Sequence, residues 1–171
     1  MRAAGVLAGL VLALLLQTTI AGMTMAGGAL VNLVLVVVVF VALAYGAVAG
    51  LMAGMAGGLV QDALAGGIIG IGSLSKSVAG FLVGVLGAQF IVSQPLPRFV
   101  MFLGATAVHE LCYQGLFALI EFRPFSLQYS TLAVQALING VVGILAFQVV
   151  EGAPGLVQRR RMRRASIRRR F

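Results

Sequence analysis

Charged residues make up only 9% of this 171-residue chain, against about a quarter in an ordinary soluble domain. Hydrophobic residues make up 61%. A soluble fold of this size keeps much of its surface in water and cannot hide so much apolar area. The composition therefore excludes a water-soluble domain and makes lipid the main solvent. Cysteine is nearly missing: Cys112 alone excludes an internal disulfide and a cysteine metal cluster, and its apolar setting reads as packing. Histidine is equally scarce. His109 stands alone, which excludes a His-Glu-x-x-His zinc motif. No Lys-Ser/Thr follows the glycines near 66–72 at the spacing of a phosphate-binding loop. The alternating segments of a membrane β-barrel are missing too, because the apolar runs are continuous.

What is present is a series of such runs. A helix needs roughly 20 apolar residues to cross the hydrocarbon core. The first candidate covers about 3–21. It resembles a signal peptide with a cleavage site, but the polytopic chain behind it favours a retained anchor. Residues 29–64 hold one charge, Asp62. As one helix they would reach about 54 Å, too long for a core of about 30 Å. Two helices are expected, with a tight turn near Tyr45-Gly46, where a valine-rich run gives way to a glycine-rich one. Residues 61–77, rich in Gly and Ser, read as a loop with partly embedded ends. Further spans are expected over about 77–92, 99–120 and 127–150. The turns between them carry Pro95, Pro97 and Arg98, then Glu121, Arg123 and Pro124. Gly152, Pro154 and Gly155 mark the end of the last span. The expected fold is an all-α bundle of about six transmembrane helices over 1–152, followed by an arginine-rich cytoplasmic tail over 153–171.

Several groups of residues could carry function. Gly46, Gly50, Gly54 and Gly58 recur every fourth residue and form a smooth ridge, and Gly80 and Gly84 repeat the spacing. The ridge suits packing within the chain or contact with a partner helix. Asp62 ends an apolar span, where a carboxylate is expensive unless paired or wet. It reads as an interfacial cap able to pair with Lys76, or as a contact for a partner or solute. Gly66, Gly67, Gly70 and Gly72 permit backbone conformations closed to other residues. Within the fifth span, Thr106, Glu110, Tyr113 and Phe117 share a helical face. With no nucleophile or metal set beside them, His109, Glu110, Tyr113 and Gln135 are expected in a buried polar network rather than in catalysis. Gln128, Thr131, Gln135 and Asn139 form a polar stripe on the last span, suited to hydrogen bonds between helices, a cavity lining or a partner helix.

At residues 58–84, GLVQDALAGGIIGIGSLSKSVAGFLVG, the chain resembles the signature region of the rod shape-determining protein MreD family. Gln61-Asp62, Gly66-Gly67 and Gly70 occupy the places of its motifs, and ALING (Ala136 to Gly140) is similar to its Asn-Gly motif in the last span. One departure stands out. Many members carry a Pro-Asp-hydrophobic step into the second span; here the region reads GGALVNLVLV, with Asn32 in the acidic position. The resemblance implies a non-enzymatic subunit of the bacterial cell-elongation and peptidoglycan-synthesis machinery, without cofactor, metal or nucleic acid. Its implied partners are the bitopic protein MreC, the MreB filament, RodA and a class B penicillin-binding protein. The family's architecture is similar to the substrate-binding subunits of energy-coupling-factor vitamin transporters. That similarity supplies the alternative, a solute-binding subunit with an outward-facing cavity near Asp62 and the last span.

Charge orients the bundle. Eight of the twelve Lys and Arg residues lie in the tail: Arg159, Arg160, Arg161, Arg163, Arg164, Arg168, Arg169 and Arg170. With six spans, ten basic residues fall on the side of the termini and two, Lys76 and Arg123, on the other. The positive-inside rule then puts both termini in the cytoplasm, where the tail meets anionic lipid or an acidic partner. A reporter that works only outside the cytoplasm, fused after Phe171, should stay silent; a bright fusion would reverse this topology.

Overall fold

In hydrocarbon every backbone N–H and C=O has to find its partner inside the chain, and a computed structural model meets that demand with helices. It describes residues 2–23, 31–66, 68–90, 94–122, 124–125 and 127–168, with side-chain surroundings defined from residue 4 to 19 and, beyond residue 30, up to 150. The helices are α1 (Arg2–Met23), α2 (Leu33–Tyr45), α3 (Ala47–Ala65), α4 (Ile71–Gln89), α5 (Pro95–Glu121) and α6 (Tyr129–Arg168). No strand occurs among the described residues. Among the described residues, four segments are long and apolar enough to cross a membrane: α3, α4, α5 and Tyr129–Val150 of α6. Ala4–Thr19 of α1 and the whole of α2 are shorter apolar helices.

The length of α2 departs from expectation. Its 13 residues reach about 20 Å, well short of a core of about 30 Å. Yet α2 is the centre of the bundle. Val34, Val38 and Val39 are fully buried. One face of α2 packs with Leu10, Ala13 and Leu14 of α1 and Ala53 of α3. Its other face packs with Ala79 and Val83 of α4, Phe102 and Ala105 of α5, and Phe147 of α6. A helix that is apolar all round belongs where no side of it meets water.

Gly46 alone separates α2 from α3. Its φ of 92° lies in the region that glycine adopts without a Cβ penalty. Its N–H donates to the Ala42 carbonyl, and its own carbonyl accepts from Gly50. The turn thus falls where the valine-rich run ends.

The glycine ridge of α3 faces α4. A methyl group on Gly50 would lie 2.6 Å from the Gly80 carbonyl oxygen, and one on Gly54 would lie 2.5 Å from that of Lys76. Gly58 meets Ser73, and Gly84 meets Ala47, in the same way. These two helices approach backbone to backbone, the use membranes make of small residues.

Here the expected loop over 61–77 is corrected. Helix α3 runs to Ala65 and α4 starts at Ile71, so Ser73, Ser75, Lys76 and Ser77 belong to α4. Small polar residues suggest a loop in water, but here they serve close packing. Their hydroxyls are absorbed by backbone carbonyls: Ser75 donates to Gly72 and Ser77 to Ser73 within the helix, and Ser73 donates across to Met55 of α3. The last helix differs as well. It runs through Gly152, Pro154 and Gly155 to Arg168; a proline removes one N–H and bends a helix without always ending it.

Gly54→Ala should therefore lose on the order of 1–3 kcal/mol through overpacking. Gly104→Ala, whose added methyl meets nothing within 4 Å, should leave stability unchanged or raised. Thermal unfolding of the two variants in detergent compares them directly.

Candidate functional site

The N-terminus of a helix leaves unpaired N–H groups, and that of α2 lies inside the bundle. Its cap, Asn32, is 6% exposed. Three side chains from three helices take up these donors. Asn32 itself accepts from the Leu35 N–H at 3.1 Å. Asn139 of α6 accepts from the Asn32 N–H at 2.9 Å. Gln17 of α1 accepts from the Leu33 N–H at 2.7 Å and donates to the Val31 carbonyl. Asn139 also donates to the Thr106 hydroxyl of α5, which in turn donates to Phe102. The Asn32 amide stands 3.2 Å from Nε2 of His109. Thr106, His109 and Asn139 are each under 5% exposed.

Asp62, also buried, caps α4. Its Oδ2 accepts from the Gly70 N–H at 2.9 Å and the Ser73 N–H at 3.1 Å. An anionic acceptor at a helix N-terminus suits both the unpaired donors and the helix dipole. Gly72 leaves room for it, since a Cβ there would collide with Oδ1. Gly66, with φ 68°, closes α3, and Gly70, with φ 109°, opens α4. Between these two glycines the chain reverses within five residues. Gly67 lies outside the described residues.

The expected pairing of Asp62 with Lys76 is not what the structure contains. Lys76 is 2% exposed and donates to the Gly72 carbonyl at 3.5 Å. Asp62 turns to backbone N–H groups instead, because the first turn of α4 would otherwise leave them bare. Lys76 still lies within the electrostatic reach of Asp62, Glu110 and His109.

The expected network over His109, Glu110, Tyr113 and Gln135 forms only in part. His109 joins Asn32, and its ring lies 5.9 Å from that of Tyr113, which stacks on Phe117. Glu110, half-buried, accepts from Gln114 on its own helix. Gln135 is half-buried and has no hydrogen bond among the described residues. Of the polar stripe on α6, Asn139 reaches the interior, while Thr131 donates to Gln128 on the exposed side. Gly140 packs against the Phe99 ring. The side chains of Arg159, Arg160, Arg161, Arg163, Arg164 and Arg168 lie outside the described residues, as do Arg169 and Arg170 altogether.

Gln17 was the member of this layer that no motif announced. Its one signal is an amide late in an apolar run, just before Thr18 and Thr19, where a polar group has to find a partner inside the protein. The arrangement as a whole is a transverse polar layer. Helices α1, α2, α5 and α6 supply it, and its chemistry is hydrogen bonding centred on the start of α2. No group of three or more potential metal ligands occurs among the described residues.

A family model described as rod shape-determining protein MreD matches residues 3–152, which takes in the body of the bundle. No curated protein and no solved structure matches the chain.

Asp62→Ala should strip two N–H groups of their acceptor, at about 1–3 kcal/mol for each buried donor left unmet. Asp62→Asn keeps one acceptor and should cost less. Equal losses in thermal unfolding would mean that charge alone, rather than capping, is what Asp62 supplies.

Proposed function

We propose, because the chain belongs to the rod shape-determining protein MreD family, that it is a non-enzymatic scaffold or regulatory subunit of the bacterial cell-elongation complex. Its immediate partner is an MreC-type bitopic protein. The MreB filament, RodA and a class B penicillin-binding protein are further members of the assembly. The single observation that carries this reading is the family match across residues 3–152.

The geometry adds support. Gln17, Asn32, Asp62 and Asn139 cap helix ends and tie helices together, as suits a structural subunit. The ridge of Gly50, Gly54 and Gly58 is filled by α4, so the partner's transmembrane helix docks on a lipid-facing flank. The ridge serves binding by holding α3 and α4 in place.

The protein sits in the bacterial cytoplasmic membrane with both termini inside. Lys76 is buried within α4 rather than in a loop, which sharpens the charge asymmetry that orients the chain. The arginine tail then lies against anionic lipid, worth about 1 kcal/mol per basic residue near the surface, and close to the cytoplasmic filament. An architecture shared with energy-coupling-factor substrate-binding subunits would carry no ligand with it, because fold does not fix function.

Two measurements test the proposal together. Tagged full-length protein, co-expressed with the MreC-type partner and solubilised in detergent, should bring that partner down. Depletion of the protein in a rod-shaped host should round the cells. Unaltered rods together with no recovered partner would refute it.

A further inference from the structure

His109 is the only histidine in the chain and is 4% exposed. Its protonation can be read from its neighbours. The Asn32 side-chain oxygen is already engaged, accepting from the Leu35 N–H. The end of Asn32 that faces Nε2 of His109, at 3.2 Å, is therefore its amide nitrogen. An amide NH2 donates and does not accept. Nε2 must then present a bare lone pair, and the proton of the neutral ring rests on Nδ1. That leaves a contradiction, because Nδ1 is fully buried and has no hydrogen-bond partner among the described residues. Lys76 is in a related position. Its ammonium has three donors and one acceptor, the Gly72 carbonyl, at 3.5 Å.

Two side chains more than nine-tenths buried thus hold unfilled donors, near enough to interact electrostatically. A buried donor left unmet is costly, and the usual remedy in a polar interior is an ordered water with two to four partners. We propose that a small cluster of buried water molecules occupies the polar layer, accepting from Nδ1–H of His109 and from the Lys76 ammonium. The ligand is water: it is small, accepts from both donors and needs no counter-charge. The layer is then hydrated at the level where α2 begins. This inference is independent of the family reading.

A single histidine makes the test direct. Full-length protein labelled with 15N,13C-histidine and reconstituted in bilayers gives one imidazole signal in solid-state NMR. The nitrogen shifts should report a neutral ring protonated on Nδ1. In a water-edited experiment, magnetisation from water should reach that ring several-fold faster than it reaches Val38 and Val39, which are fully buried. Lys76→Met should slow the transfer to His109, but the wild-type measurement stands without that variant. Protonation on Nε2 would overturn the proposal, as would transfer as slow as that to the core valines. A hydrogen-bonded Nδ1–H with no water transfer would also overturn it, by placing a lipid or protein oxygen there instead.

Discussion

The bundle depends on how one helix begins. Leu33 to Tyr45 forms a 13-residue apolar helix whose cap, Asn32, is buried, so its N-terminus lies within the protein, away from water. Unpaired N–H groups there would cost several kcal/mol in a medium without hydrogen-bonding solvent. Gln17, Asn32 and Asn139 remove that cost and in doing so fix three helices against one another. The apolar faces of α2 then have a defined depth and rotation, and both core clusters form around them. Specificity comes from the polar contacts, and contact area from the valines.

The other half of the bundle solves a different problem. Between α3 and α4 no hydrophobic driving force exists in lipid, so close backbone approach has to supply the attraction. The glycines of α3 and the small residues of α4 interlock over about three turns, from Gly58 against Ser73 to Ala47 against Gly84. Asp62 closes the open end of this pair by capping α4. The region that most resembles the family signature is thus a helical hairpin whose turn, ridge and cap support each other. A carboxylate, two positive-φ glycines and a row of small residues have one structural reason to occur together.

Much of this was legible in the residues. The change from valine to glycine at Tyr45-Gly46 marked a turn that proved to be one residue long. The four-residue spacing of Gly46, Gly50, Gly54 and Gly58 marked a packing face, but Gly46 forms the turn before α3 and an added methyl there would meet nothing within 4 Å. The spacing did not say whether the helix it meets belongs to the same chain, because internal and external contacts obey the same sterics. Gly and Ser at 66–77 were misleading, since their loop preference is measured in water and α4 forms against a helix that demands small residues. Lys76 was misplaced for the same reason. The beginning of α2 was hidden because the cap depends on residues from distant parts of the chain, which no local pattern can bring together. Asn32 was visible only as a departure from the family motif. In the structure an amide there caps the helix and also donates to His109, which a carboxylate at the same place would not do.

The contact between Asn32 and Asn139 joins residues 107 positions apart. In time, that distance is a delay. When α2 leaves the ribosome, Gln17 has already been made and can tie the first two helices together, but the group that completes the cap is in the final helix. Throughout synthesis of α3, α4 and α5 the start of α2 carries an unmet donor. A chain cut short before α6 would keep that defect permanently, and a membrane quality-control protease would have a chemical mark by which to tell an unfinished molecule from a finished one.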